Sequence, residues 1–251
     1  MIDIHSHILH GLDDGAKTLE DSIAMVRMAA AAGTTDIVAT PHADQVYTFD
    51  GQVVAQRIAE LQAAAGDSPR IHFGCDFHLM PENIDDAVQC RQKYSINHKG
   101  YLLVEFSDFY IPKDVLGIFS RLQEAGLQPI VTHPERNQLL QRRLADLEAW
   151  VCKGIPMQVT AQSFLGRFGR TAKRVSDELM SRGLVHFVAS DAHDLKWRTT
   201  ALNESFDYVA KTFGREAAVR VFEENPGAVL AGVPLPAMPV PVTKRPWYRF
   251  W

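Results

Sequence analysis

Apolar residues in this chain gather in short runs separated by longer amphipathic stretches. MIDI, TDIVAT, IHFGCDF, YLLVEF, PIVTH, MQVTA and VHFVAS are seven such runs, rich in β-branched and aromatic residues, and each predicts a strand. The stretch after the first run carries helix signals in order. Thr18 is placed to cap, Asp21 stands at the third helical position, Leu19, Ile23, Val26 and Ala30 share a face, and Gly33 ends the pattern. Strands alternating with helices imply parallel strands joined by crossovers, an α/β fold. Pro and Gly become frequent after Asn225, so the expected domain covers 1–232 and the Pro-rich, aromatic and basic segment 233–251 forms a tail.

Composition narrows the possibilities without naming a function. With 251 residues, 46% of them hydrophobic, the chain can bury one large core, and a formal charge of −4 gives no global basic field, so no nucleic-acid partner is expected. The opening MIDIHSHILHG lacks the basic start and apolar run of a signal peptide, and no stretch approaches the ~20 apolar residues of a membrane span. The expectation is a cytoplasmic protein with no transmembrane segment. Cys75, Cys90 and Cys152 lack metal-type pairing and fit a reducing compartment.

The informative chemistry is positional. His5 and His7 follow MIDI, His42 follows IVAT, Asp76 lies in FGCDF, Glu105 in LLVEF, His133 in IVTH, and Asp191 and His193 follow FVAS. In a parallel barrel these carboxyl-terminal strand ends converge on one face. A lone histidine at a strand end is usually structural, but several strands delivering His and carboxylates to one rim point to a metal site. The two-residue spacing of His5 and His7, and of Asp191 and His193, turns both members of each pair the same way. Imidazole with carboxylate suits Mn, Fe or Zn, and a shared carboxylate could hold two ions ~3.5–4 Å apart. Arg136 and Arg198, in loops just beyond His133 and His193, are placed to clamp phosphate. His72 and His186 fall at strand starts on the opposite rim and His98 in a polar loop, while His10 and His78 lie near motif segments from which they could approach substrate but read first as structural or solvated. No Cys is followed six residues later by Arg, and neither a Walker loop nor a Gly-x-Ser-x-Gly elbow is present.

The segments DIHSHILHGLDDGAKTLEDSIAM, ATPH, GCDF, LVEFS, THPERN and ASDAH resemble the polymerase-and-histidinol-phosphatase (PHP) superfamily. Within it the chain is similar, over Met1 to Gly232, to the manganese-dependent protein-tyrosine phosphatases of bacterial capsule and exopolysaccharide loci, the CpsB/YwqE/CapC type. The resemblance implies a distorted seven-stranded (β/α)7 barrel. It also implies two or three divalent ions, Mn foremost with Fe or Zn as alternatives, on His5, His7, Asp14, His42, Asp76, Glu105, His133, Asp191 and His193. A grouping consistent with it puts one ion on His5, His7 and Asp191, a second on Glu105 and His133, a third around His42 and His193, and Asp76 between the first two. The family usually has Glu where this chain has Asp76, one methylene shorter.

By the same resemblance Arg136 and Arg198 bind substrate phosphate, His42 or His193 returns a proton to the leaving group, and metal-activated hydroxide attacks a phosphotyrosine ester. The implied substrate is a membrane-associated tyrosine kinase that regulates polysaccharide synthesis. The rival activities are histidinol-phosphate hydrolysis, nuclease or amidohydrolase chemistry on a similar barrel, and a non-catalytic scaffold. The final DAH and the DDG run favour the phosphatase.

Overall fold

The computed structural model describes residues 1–236. Residues 237–251, which hold most of the expected tail, lie outside the described residues. Among the described residues nine strands are formed: β1 (Ile2–Ser6), β2 (Asp36–Ala39), β3 (His42–Ala43), β4 (Arg70–Phe73), β5 (Asp76–His78), β6 (Tyr101–Glu105), β7 (Gln128–Thr132), β8 (Met157–Thr160) and β9 (Phe187–Ala189). The helices are α1 (Leu19–Ala31), α2 (Gly51–Ala65), α3 (Pro81–Gln89), α4 (Val115–Glu124), α5 (Leu144–Cys152), α6 (Ala161–Phe164), α7 (Gly169–Ser181), α8 (Asn203–Phe213), α9 (Arg215–Val219) and α10 (Asn225–Ala231).

Every strand pair is parallel, in two sheets ordered β1-β2-β4 and β3-β5-β6-β7-β8-β9. The sheets are stitched at their seams. Ser6 bridges to Ala192 beyond β9, and the amides of Asp191 and His7 donate to the carbonyls of His5 and Ala192 at 2.8 and 2.9 Å. The first strand of the chain thus lies against the last.

All seven predicted runs form strands, but one of them is divided in two and another is followed by a short extra strand. IHFGCDF divides into β4, which pairs with β2, and β5, which joins the other sheet. The break falls at Gly74, where an added Cβ would stand 2.6 Å from Val38 Cγ1 and 3.0 Å from Thr40 Cγ2; the backbone presses on β2 too closely for any side chain. TDIVAT ends at Ala39, and Pro41, without an N–H for a ladder, separates it from the two-residue β3.

Thr18 caps α1 as expected. Its hydroxyl accepts from the Asp21 amide and the Asp21 carboxylate accepts from the Thr18 amide, both at 3.2 Å, a reciprocal capping box. The buried face holds Met25, Val26 and Ala29, with Leu19 and Ile23 partly buried against the core, so it is turned slightly from the expected stripe.

Two apolar clusters form the interior. The larger packs the helices onto the outer strand faces through residues such as Ile37, Val104, Val131 and Val188. The smaller, with Ile4, Val38, Leu103, Ile130 and Phe187, occupies the alternate strand positions and is closed by Val229 of α10. The polar site sits one layer further along the same strands. Ile4 belongs to the apolar layer and His5 to the site, which strict alternation would forbid. The register of β1 against β2 slips between Asp3 and Ser6, and the irregularity lets both side chains reach inward.

Candidate metal centre

The structure brings all nine expected ligands to one place. β1 extends through Ser6, so His5 lies within the strand and His7 just past it, not both beyond it as the sequence reading has them. His42 opens β3, Asp76 opens β5, Glu105 closes β6, His133 follows β7, and Asp191 and His193 follow β9. Asp14 arrives from the loop between β1 and α1. The His7 ring is centred 5.4 Å from His5, 4.4 Å from His42 and 3.9 Å from His193, and His5 is 5.6 Å from His133.

Three groups of donor atoms each lie within 4.8 Å of one another: His7, Asp14, His42 and His193; His5, His7 and Asp76; and His42, Asp76 and Glu105. Asp191 Oδ1 stands 3.4 Å from Nε2 of both His5 and His7, and His133 Nε2 is 3.6 Å from Glu105 Oε1. Asp76 Oδ2 sits between His5 Nε2 at 3.5 Å and His42 Nδ1 at 3.2 Å.

Groups behind the ligands fix their orientation. His7 Nδ1 donates to Asp13 Oδ2 at 2.7 Å and His5 Nδ1 to Gln158 Oε1 at 3.0 Å, which turns both Nε2 atoms to the centre. Asp13 also receives the amides of Gly15 and His42. A Cβ on Gly15 would fall 2.1 Å from the His7 carbonyl oxygen, so only glycine lets this loop close over His7. His193 Nδ1 donates to the Asp191 carbonyl at 3.0 Å. His133 at φ +33° and Asp191 at φ +49° hold left-handed backbone that costs a side-chain-bearing residue about 1–2 kcal/mol. The strain falls on two ligand positions.

The electrostatics suit a cation. Burial lowers the pKa of His7 and holds that of His133 well below its ordinary value, and burial with His7 nearby takes His193 to about 2, so these rings keep a free lone pair. Glu105 is raised by burial and by Asp76 beside it. His42 goes the other way: burial opposes its charge, but Asp14 and Asp76 carry it to about 11. The direction marks a place where closely packed carboxylates call for positive charge. Both Asp76 oxygens and His42 Nδ1 are buried without a hydrogen bond of ordinary geometry. Orphaned donors of this kind among imidazoles and carboxylates are the donor set of a divalent metal site.

Arg136 and Arg198 meet at the same carboxylate. Arg198 NH2 donates to Asp191 Oδ2 at 2.7 Å, and Arg136 NH1 donates to the same oxygen. Arg136 also lies over the Phe168 ring, 4.4 Å from its centre. Arg198 belongs to a loop wound on Asp194, whose carboxylate accepts from the amides of Lys196, Trp197 and Arg198.

The other histidines divide. His72 pairs with Asp36 at 2.8 Å, His186 Nδ1 with the Leu184 carbonyl at 3.1 Å and His98 with the Gln92 carbonyl at 2.7 Å, all away from the cluster. His10 belongs to none of the donor groups among the described residues. His78, read as structural, instead stands 3.7 Å from Glu105 Oε2 at the edge of the centre. Sequence reasoning passed over Asp13, Gln158 and Asp3, whose carboxylate accepts from the His5 and Ser190 amides. The paired acids of the DDG run were the one available signal for Asp13. The centre opens onto a groove of about 480 Å3 lined by Lys17, Trp197 and Arg198, and a second of about 640 Å3 begins at His78.

Comparison with known proteins shows what the chain is similar to. The chain is 33% identical over 259 aligned residues to the tyrosine-protein phosphatase YwqE of Bacillus subtilis, covering 100% of both. It is 34% identical over 213 residues to the putative tyrosine-protein phosphatase CapC of Staphylococcus aureus, covering 82% of each. A crystal structure described as YwqE from Bacillus subtilis and CpsB from Streptococcus pneumoniae, unique metal-dependent tyrosine phosphatases, matches with a TM-score of 0.89 at 34% identity over 96% of this chain and 98% of that one. The phosphotriesterase from Mycobacterium tuberculosis, with a TM-score of 0.60 at 12% identity over 91% of this chain and 93% of its own, shares the fold alone. Residues 1–231 match the model of the family described as capsular polysaccharide synthesis, CpsB/CapC, and the chain belongs to that family.

Proposed function

We propose that this protein is a metal-dependent protein-tyrosine phosphatase that hydrolyses phosphotyrosine on a tyrosine kinase regulating capsule or exopolysaccharide synthesis. The observation that carries the reading is the convergence of two arginines on Asp191 Oδ2 while Asp191 Oδ1 faces His5 and His7. An anion-binding pair and a cation-binding cluster share one carboxylate, which sets phosphate-binding groups beside metal-binding ones as metal-dependent phosphate-ester hydrolysis uses them. The domain covers 1–232, with β2 with β3, and β4 with β5, taken as single interrupted staves of a distorted seven-stranded barrel. Three free thiols are consistent with a cytoplasmic site of action.

His5, His7 and Asp191 would hold one ion, Glu105 and His133 a second, and His42, His193 and Asp14 a third, with Asp76 between; Mn is the first candidate. When bound, such ions supply Lewis-acid charge and lower the pKa of water towards ~7. Arg136 and Arg198 bind the equatorial phosphoryl oxygens, whose charge is spread in the transition state. Phe168 keeps the Arg136 guanidinium flat and Asp194 keeps Arg198 facing inward, so little order is lost on binding. His42 or His193, both with Nε2 near Asp14, is the candidate to return a proton through water to the leaving oxygen when it does not hold an ion, and the raised pKa of His42 against the lowered one of His193 favours His42. A phenolate with a pKa near ~10 needs little such help.

The test is phosphate release from a phosphotyrosine peptide and from histidinol phosphate by Mn-loaded, chelator-treated and His5→Ala protein. Metal-dependent release from the peptide, abolished in the variant, is expected, and Arg136→Ala or Arg198→Ala should each lower kcat by roughly 100- to 1,000-fold. Preference for histidinol phosphate would overturn the reading.

A further inference from the structure

Exposed apolar side chains are concentrated on one side of the metal centre. Among the described residues, the large hydrophobic side chains most open to solvent are Phe109 at 95%, Val46 at 78%, Trp197 at 76% and Tyr110 at 60%. Phe109, Val46 and Tyr110 line the same groove of about 640 Å3 that begins at His78. Because His78 Nδ1 stands 3.7 Å from Glu105, the groove is continuous with the site of chemistry. An exposed apolar patch joined to an active site marks a binding surface.

The groove walls are held firmly while their apolar tips are left outside. Asn137 Nδ2 donates to the Ser107 carbonyl at 3.0 Å, and the Phe109 amide donates to the Ser107 hydroxyl at 3.2 Å. On the facing wall Asp44 Oδ1 accepts from the Val46 and Tyr47 amides at 2.7 Å each. Asn83 Nδ2 ties the two strand ends below by donating to the carbonyls of Ala43 and His78 at 2.7 and 3.0 Å. Ordering a loop in order to expose a phenylalanine gains nothing for the fold; it pre-organises a contact for a ligand.

Charge identifies the kind of ligand. Asp44 and Asp108 line this groove, and no Lys or Arg is among its described lining residues. The groove on the other side of the centre mixes Lys17, Lys196 and Arg198 with Asp14, Asp21 and Asp194. An acidic segment is repelled from the first groove, which offers it no Lys or Arg to offset Asp44 and Asp108.

We propose that the groove between Val46 and Phe109 binds the peptide flank of the phosphotyrosine and selects an aliphatic or aromatic residue there over an acidic one. The proposal rests on the tyrosine-phosphatase reading and adds a specificity site to it. At ~3.3 Å per residue an extended peptide brings the neighbouring one or two side chains over the groove once the phosphate is seated.

The experiment measures kcat/KM of the full-length Mn-loaded protein for three substrates. Two are phosphotyrosine peptides that differ only in Leu or Asp on both sides of the phosphotyrosine, and the third is 4-nitrophenyl phosphate. The Leu peptide should be preferred at least about 10-fold. Phe109→Ala should bring that ratio most of the way to unity through KM, and Val46→Ala, on the opposite wall, should lower it as well. Equal kcat/KM for the two peptides, or a ratio that survives both substitutions, overturns the groove proposal while turnover of 4-nitrophenyl phosphate leaves the phosphatase reading standing. Absence of turnover on all three substrates removes both. A Leu preference that emerges only when residues 237–251 are deleted would identify the chain's own end as the occupant and overturn the proposal.

Discussion

The His7 imidazole is worth following outward from its ring. Nε2 faces the cluster because Nδ1 is spent on Asp13 at 2.7 Å, and Asp13 is held to about 2, with burial opposed and outweighed by His7 and the Gly15 amide. An unbroken carboxylate behind the imidazole fixes the tautomer and raises its basicity. Asp13→Asn is nearly isosteric, so the fold should persist while divalent-metal affinity falls roughly 10- to 100-fold. Metal titration by calorimetry on the chelated protein checks this, and an unchanged affinity would mean that Asp13 serves only the loop. This residue also marks the limit of what the sequence discloses. His5, His7, His42 and the later ligands announce themselves because strand ends are predictable and parallel strands bring their ends together. Asp13 and Gln158 do not, since a supporting group has no fixed spacing from the ring that it supports. His78, which the sequence allows to approach substrate but ranks first as structural or solvated, was under-read for a different reason: β5 is only three residues long, too short for its alternation to be read.

At the scale of elements, Asp36 pins the start of β2 to the start of β4. It receives Arg70 Nε at 2.9 Å, His72 Nε2 at 2.8 Å and the Thr35 hydroxyl at 2.9 Å. Burial raises its pKa, but the hydrogen bonds from Arg70, His72 and Thr35 outweigh it and the net shift is downward. A carboxylate with a lowered folded pKa contributes stability that is complete above its unfolded value near ~3.9 and is lost as pH falls through the folded value. Asp36→Asn should therefore cost on the order of 1 kcal/mol at neutral pH, and the gap between wild type and variant should close below about pH 4. Urea unfolding across that range reads the difference, and a gap independent of pH would assign the loss to packing. The division of IHFGCDF between two sheets is the element-level feature that periodicity could not show. Both halves of IHFGCDF are apolar, and the break depends on how near β2 passes to Gly74, a tertiary fact. The α/β class and the order of the elements needed only local pattern.

For the whole molecule, the centre joins parts of the chain that nothing else in the sequence links. His5 and His7 come from the three-stranded sheet, while Asp76, Glu105 and His133 extend from the six-stranded one. Ions bound there act on the folded state alone, and a ligand at 100 times its Kd adds ~2.7 kcal/mol. For a chain of this size chelation should lower Tm by roughly 5–10 °C. Calorimetry with and without excess chelator measures the shift, and a Tm indifferent to chelation would show that the donors are satisfied without metal.

The seam between β1 and the residues after β9 has a consequence for how the chain is made. A ribosome releases the N-terminal end first, so β1 emerges with His5 and His7 while its neighbours Asp191, Ala192 and His193 are still unsynthesised. At ~5–20 residues per second that interval lasts on the order of ten to forty seconds. The nascent chain must carry that edge of β1 unpaired for that time, and the seam between β1 and the residues after β9 can form only after nearly the whole domain has left the tunnel.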